Sequence, residues 1–361
     1  MDFTLTDEQI AVRDLADQIF DGMVSVERIK QVEKTDDRID RDLWAALAKA
    51  NLLGLCLPEE HGGSGLGMVE LCLLLEAQGR RLAPVPLLAT IALGALPLAR
   101  FGSAEQQGAW LPGVVSGDVV LTAAIDEPGS IDPTQPRTTA TDDGVLHGFK
   151  SAVPAGHLAT RVLVPATRAD GSVGVYLVDP VDVEREFVDT TDRQGATNLV
   201  LDGAVGELIE GADVSWIRDR ALVGLSAIQF GVAQEALRLA AEYTSGRLQF
   251  GKPLSTFQGV SLRAADAYID TSAINVTLWQ AAWRLDEGLD ASKEIAIAKW
   301  WAAEGGERVV HATQHLHGGM GADVDYPVHR YFLWGKQIAD SLGGASSQLA
   351  RLGAELAEAY R

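Results

Sequence analysis

Cysteine is almost absent from this chain: two residues, Cys56 and Cys72, among 361. So sparse a pair argues against a disulfide framework and for a reducing compartment. No uninterrupted apolar run reaches the ~20 residues that a membrane-spanning helix needs. The opening Met1-Asp2-Phe3-Thr4 has neither a basic n-region nor an apolar h-region, so no secretory signal and a cytoplasmic location are expected. Positive charge is also scarce. Thirty Lys and Arg against fifty Asp and Glu leave a formal net charge of −20. Such a surface repels nucleic acid and anionic membranes, so neither is an expected partner. An anionic ligand would have to be met by cations placed locally. No internal repeat or low-complexity linker interrupts the chain.

What is present fits an ordinary globular protein, with 47% hydrophobic residues and length enough for two or three domains. Residues 1–120 read as an N-terminal helical domain. Thr6-Asp7-Glu8-Gln9 sets a capping box before the stripe Ile10, Val12, Leu15 and Ile19. Helices are expected over 37–51 and 69–80, the second closed by the basic pair Arg80-Arg81. The glycine-rich run Gly62 to Gly67 follows no strand and is not a dinucleotide fingerprint. Between 121 and 210 the period shortens. Val162-Leu163-Val164 and Val173 to Val178 are strand-like, with Asp142-Asp143-Gly144 and Asp170-Gly171 as turn signals. A small antiparallel, barrel-like β domain is expected there. Residues 211–361 return to long helices with short turns, the pattern of a four-helix bundle. The fold class is α+β.

The organising stretch is Arg247 to Gln258. Two long apolar helical segments, 219–245 and 257–285, meet there, and Gly251-Lys252-Pro253 breaks the pattern between them. Arg247 is a fixed cation with a fork suited to phosphate oxygens. Phe250 offers a flat apolar face and Gln258 an amide that both donates and accepts. The set suits a ligand with phosphates and a flat ring. The plainer alternative is an arginine stem lying over apolar surface at a helix end and a phenylalanine in the core.

The motif Arg247-x-x-Phe250-Gly251, with Phe257-Gln258 following, resembles the acyl-CoA dehydrogenases. So do His317-Gly318-Gly319-Met320-Gly321, Tyr326-Pro327-Val328-His329-Arg330, the opening Phe3 to Gln9, and Leu57-Pro58-Glu59-Glu60-His61-Gly62-Gly63-Ser64-Gly65. The matches run in order over nearly the whole chain. The resemblance implies FAD as cofactor, an acyl-CoA substrate and electron-transfer flavoprotein as acceptor. It further implies that Arg247, Phe250, Leu254 and Gln258, with His315, Gly318 and Gly319, reach the FAD of a neighbouring subunit. The family usually has Gln where His315 stands. His311, His315 and His317 have no carboxylate or Cys partner at metal-ligand spacing, so no metal site is expected.

The same resemblance exposes gaps. The reaction needs a carboxylate to take the α-proton of the thioester and donors to meet the enolate oxygen. The two places where the family carries its glutamate correspond here to Gly343 and Ala221, so no catalytic residue is expected. Asp219 lies two residues from Ala221, and that offset turns a helical side chain by about 200°. The family's Thr-Glu-Pro-Gly-Ala-Gly-Ser-Asp, which holds the flavin edge, is shortened here to Asp126-Glu127-Pro128-Gly129-Ser130-Ile131-Asp132. Its Trp-Ile-Thr at the flavin ring corresponds to Ala152-Val153-Pro154, and its Arg-Asp pair to Trp334-Gly335.

The chain thus keeps what the family offers to a partner's cofactor and lacks what serves its own. It resembles most the non-catalytic subunit of the α2β2 acyl-CoA dehydrogenases of actinobacterial steroid side-chain oxidation. A catalytic acyl-CoA dehydrogenase subunit is the expected partner, and FAD would be shared with it. Two alternatives stand beside this reading: a self-sufficient homotetramer with a relocated base, and a non-enzymatic scaffold on the same fold.

Overall fold

The computed structural model describes residues 4–130 and 132–359, so Phe3 and Ile131 of the motifs above lie outside the described residues. Helices come first: α1 Asp7–Met23, α2 Val26–Val32, α3 Arg41–Lys49, α4 Met68–Arg81, α5 Leu96–Phe101 and α6 Ala104–Ser116. A π-helical segment, Leu88–Ala95, runs directly into α5. Strands β1 Leu121–Ala123, β2 Thr139–Ala140, β3 Val145–Pro154, β4 Arg161–Arg168, β5 Val173–Val178, β6 Glu184–Val188 and β7 Ala196–Ile209 follow. The rest is α7 Val214–Gly246, a short hairpin of β8 Leu248–Gln249 and β9 Lys252–Pro253, then α8 Gln258–Asp286, α9 Ser292–Trp300, α10 Gly306–Leu316, α11 Val328–Asp340 and α12 Ala345–Ala359. A second π-helical segment, Trp301–Gly305, joins α9 to α10 in one helical run. No helix among the described residues is long and apolar enough to cross a membrane.

Contacts divide the chain into two compact units. The first comprises the described parts of residues 1–29, 72–83 and 222–361. At its entry, Thr6 Oγ1 accepts from the Gln9 backbone N–H and the Gln9 side chain accepts from the Thr6 N–H, which caps α1 as the sequence predicts. Helices α4 and α7 touch backbone to backbone. A Cβ on Gly79 would lie 2.1 Å from the Ile228 carbonyl oxygen, and one on Gly231 would lie 2.1 Å from that of Glu76. Arg80 beside this contact reaches Asp17 at 2.9 Å and Glu76 at 2.6 Å. Tyr331 on α11 donates its hydroxyl to the Arg80 carbonyl at 2.8 Å. Gly335 lets α11 approach α10, since a Cβ there would meet Val310 Cγ1 at 2.7 Å.

The second unit comprises residues 30–71 and 84–221 and contains the sheet of β1–β7. β4, β2, β3, β7 and β5 pair in that order, and β5 pairs back to β4, which closes a five-stranded barrel. Its interior packs Leu146, Val153, Val162, Val164, Tyr176, Leu199 and Leu201. Asp142-Asp143-Gly144 joins β2 to β3 and Asp170-Gly171 joins β4 to β5, both antiparallel. The expected antiparallel pattern holds for those pairs and for β3–β7, β5–β7 and β6–β7. β1 and β2 instead run parallel to β4. Two and three residues leave too little periodicity to reveal that pairing in sequence.

A buried ion pair pins the loop ahead of β2. Lys150 Nζ lies 2.6 Å from Glu127 Oε1. The same carboxylate accepts from the Thr138 hydroxyl at 2.7 Å, the Thr138 N–H at 3.0 Å and the Arg137 N–H at 2.6 Å. Burial alone would push the Glu127 carboxyl up, but the hydrogen bonds from Lys150 and Thr138 outweigh it and hold it below the usual carboxylate range.

Candidate functional site

Helix α7 ends where its apolar run ends, and Arg247 N–H still donates to the Tyr243 carbonyl at 2.8 Å. The chain then forms a hairpin rather than the plain helix-to-helix turn that the glycine and proline suggest. Leu248 pairs with Pro253 and Gln249 with Lys252. Phe250 and Gly251 fill the tip with φ of 51° and 79°, the mirror-image turn that matches strand twist. The Leu254 N–H donates to the Arg247 carbonyl at 2.9 Å and closes the hairpin's base.

Phe250 is not a core residue. It is 92% exposed at the tip, in a left-handed conformation that a β-carbon disfavours. Its ring stands edge-on to Phe257 at 6.2 Å, and Lys252 Nζ lies 4.5 Å from the Phe257 ring centre. Arg247 and Gln258 are exposed and Leu254 is partly buried. The hairpin therefore presents a cation, an aromatic ring and an amide to the outside of the chain. From Gln258 onward α8 continues an exposed apolar stripe at Leu262, Ile269 and Val276.

The second predicted segment lies at the end of α10. His315 is exposed, His317 is buried as the C-cap, and Gly318 to Ala322 form a 3-10 turn. Gln314 Nε2 donates to the Gly321 carbonyl at 3.1 Å, which ties the turn back to its helix. Gly321 is held by packing, since a Cβ there would meet the Gln314 carbonyl oxygen at 2.4 Å. Gly318 has φ of 60°, and Gly319 has nothing within 4 Å of a built Cβ. Nothing inside the described chain calls for glycine at 319. The two segments are joined by aromatic contact, because the Tyr243 ring stacks on that of His317 with centroids 4.7 Å apart. Among the described residues, no group of three or more His, Cys, Asp or Glu could hold a metal ion.

Gly343 and Ala221, the two positions where the sequence comparison expects a missing glutamate, sit in closely packed surroundings. Leu342 and Gly343 have φ of 54° and 91°. A Cβ on Gly343 would lie 3.1 Å from Ser347 Cβ. The Gly343 carbonyl accepts from Lys299 Nζ at 3.3 Å and Gln348 Nε2 at 3.2 Å. Lys299 also donates to the carbonyls of Ile338 at 3.0 Å and Ala339 at 3.1 Å, so its three protons cap the C-terminus of α11 and hold the turn after it. Lys299 is fully buried, and desolvation pushes its ammonium down to about 7 despite the opposing charge of Asp340. The sequence reading did not single out Lys299. Its signal was a lone cation inside Ile295-Ala296-Ile297-Ala298-Lys299-Trp300-Trp301. Ala221 is fully buried in α7. Asp219 is partly buried, and Arg218 holds its carboxylate at 2.9 Å.

At the β-domain motif, β3 bulges against β7 between Lys150 and Val153. Ala152 occupies the bulge with φ of 47°, and its N–H donates to Asn198 Oδ1 at 3.0 Å. Ala152 and Pro154 both face outward. They offer neither a ring nor a hydroxyl, and Pro154 lacks an N–H, so these two residues give a flavin ring no aromatic face to stack on and no donor.

The acyl-CoA dehydrogenase N-terminal domain model matches residues 6–118 and the C-terminal domain model residues 219–355. The acyl-CoA dehydrogenase FadE27 of Mycobacterium tuberculosis is 41% identical over 99% of each chain. Among solved structures, a variant of the Tcur3481–Tcur3483 steroid ACAD is 48% identical with a TM-score of 0.94, covering 99% of each chain. The ChsE4–ChsE5 complex of M. tuberculosis is 40% identical with a TM-score of 0.93, also over 99% of each chain. The chain belongs to the acyl-CoA dehydrogenase family, a family of FAD-using oxidoreductases, and has that family's fold of helical, β and helical regions.

Proposed function

We propose that this chain is the non-catalytic subunit of a heteromeric acyl-CoA dehydrogenase, completing the FAD site of a catalytic partner in an α2β2 assembly in the cytoplasm. The observation that carries the reading is at position 343. A glycine with φ of 91°, its carbonyl held by Lys299 and Gln348, leaves no proton acceptor and strains any side chain placed there. Ala221 gives the second family position no acceptor either. The catalytic glutamate would come from the partner.

The residues turned outward fit the cofactor. Arg247 would meet the anionic diphosphate, Phe250 would lie against a flat ring, and Gln258 would donate or accept at its polar edge. Leu254 would pack beside them. The open Gly318-Gly319 turn would let backbone come close, and His315 would donate a hydrogen bond where the family has glutamine. FAD, when bound, supplies the hydride acceptor for α,β-desaturation of an acyl-CoA thioester, with electron-transfer flavoprotein as final acceptor. The chain's own contribution is to bind and orient.

A steroid side-chain CoA is the substrate we infer. The reading draws support from two similar structures, the Tcur3481–Tcur3483 steroid ACAD and the ChsE4–ChsE5 complex. A subunit without a working site leaves volume into which a bulky acyl group can spread. A heteromer that preferred short straight-chain acyl-CoAs would refute that part.

Flavin content tests the whole. FAD is expected only when the chain is co-expressed with a catalytic acyl-CoA dehydrogenase chain, at about one per pair, the count that one working site per heterodimer implies. Arg247→Ala in this chain should then empty the site. One FAD per subunit in the chain alone would overturn the reading and restore the self-sufficient homotetramer.

A further inference from the structure

Tyr243 and His317 sit at the roots of the two outward-facing segments. Tyr243 lies on the last turn of α7 and its carbonyl accepts from the Arg247 N–H at 2.8 Å. His317 caps α10 and precedes Gly318. Their rings stack 4.7 Å apart with planes 28° from parallel. Tyr326 closes the group, 5.2 Å from the His317 ring and 6.4 Å from that of Tyr243. His317 is 2% exposed, and Tyr243 and Tyr326 on either side of it are half-buried.

The imidazole does something a phenyl ring cannot. Its Nδ1 lies 2.7 Å from the Thr313 carbonyl oxygen, which assigns the proton to Nδ1 and fixes the ring's rotation on α10. Burial lowers its basicity against the opposing backbone hydrogen bonds, so the ring is neutral at physiological pH. A neutral, rotationally fixed ring stacked on the end of α7 ties the Gly318-Gly319 turn to the hairpin at a set spacing. On the opposite side of the turn, Gln314 performs the matching restraint through the Gly321 carbonyl.

We propose that His317 is a positioning residue for cofactor binding: stacked on Tyr243, it holds the Gly318-Gly319 turn in register with Arg247 and Phe250 so that both segments engage one FAD. This rests on the reading that these segments face a partner's FAD. Neither ring touches the cofactor in this scheme. The alternative is a histidine that only fills the space between α7 and α10, and it predicts loss of stability without a link to Arg247.

The experiment uses the co-expressed pair of subunits and measures the FAD dissociation constant by flavin fluorescence, with thermal melting alongside. His317→Leu fills the volume without a stacking face, and should weaken FAD about tenfold, the scale of coupling between residues in contact. His317→Phe restores the face but not the bond to the Thr313 carbonyl, and should recover only part of that loss. In an Arg247→Lys background, which keeps the charge but loses the fork and so weakens the site without emptying it, His317→Leu should add less than about threefold, because a register matters only when both segments bind. Tyr243→Leu approaches the stack from the other side and stands in if His317→Leu fails to fold. Effects of His317→Leu and Arg247→Lys that simply multiply, or no change in FAD affinity in His317→Leu and Tyr243→Leu, would overturn the positioning role. If Arg247→Ala itself leaves FAD in place, the underlying reading fails instead.

Discussion

Lys299 Nζ and the carbonyl oxygen of Gly343 lie 3.3 Å apart, and this bond places a buried lysine under the turn that follows α11. The ammonium is pushed down to about 7 by burial, against about 10.4 in an unfolded chain. Between those values the unfolded state holds the extra proton, so stability rises with pH there. Below about 7 both states are protonated and the slope vanishes. Relative to Lys299→Met, the wild-type chain should gain up to about 1.4 kcal/mol per pH unit between roughly pH 7 and 10, measured by urea unfolding. A difference that stays flat over that window would place the titration at its ordinary value.

Glu127→Gln should cost about 3–5 kcal/mol, because Lys150 would be left buried without its counter-charge. The wild-type carboxyl is held below its usual range. Its contribution is therefore complete above the unfolded pKa and lost as pH falls through the folded one. Acid unfolding of Glu127→Gln should begin from lower stability but show a shallower fall below about pH 4, near the unfolded carboxylate pKa. Circular dichroism across pH 2 to 7 would read both quantities, the window being roughly that of carboxylate titration.

Two glycine substitutions should behave oppositely. Gly79→Ala drives a methyl into the Ile228 carbonyl and should destabilise by about 3 kcal/mol or more. Gly319→Ala meets open space and should stay within about 0.5 kcal/mol of wild type in the isolated chain. In the co-expressed pair, Gly319→Ala should nevertheless lower flavin content. Unchanged flavin would mean that nothing approaches this turn.

Phe250→Asn should raise stability while weakening function. Asparagine tolerates the left-handed backbone that phenylalanine resists, a difference on the order of 1 kcal/mol. The unfolding midpoint should rise and FAD retention in the pair should fall. Loss of stability would show that the Phe257 contact outweighs the strain.

Long elements were legible because their signals are local. Thr6 and Gln9 announce the start of α1, Arg80-Arg81 the end of α4, and apolar spacing the extents of α7 and α8. The π-helical segments at Leu88–Ala95 and Trp301–Gly305 have the composition of ordinary helix, so nothing in sequence separates them. The hairpin at Leu248–Pro253 was hidden because its tip is Phe250-Gly251 rather than Asn-Gly. Sequence comparison found glycine at 343 but could not say why it suits the position. The reason is a backbone angle and a lysine 44 residues away.

The contact between α4 and α7 also constrains the chain's history. At Gly79 and Gly231 the opposing atom is a main-chain oxygen, and every amino acid carries one. No second-site exchange can make room there by trimming a side chain. A lineage that lost either glycine could recover only by shifting a whole helix, so both positions are closed to the compensated drift by which most cores diversify.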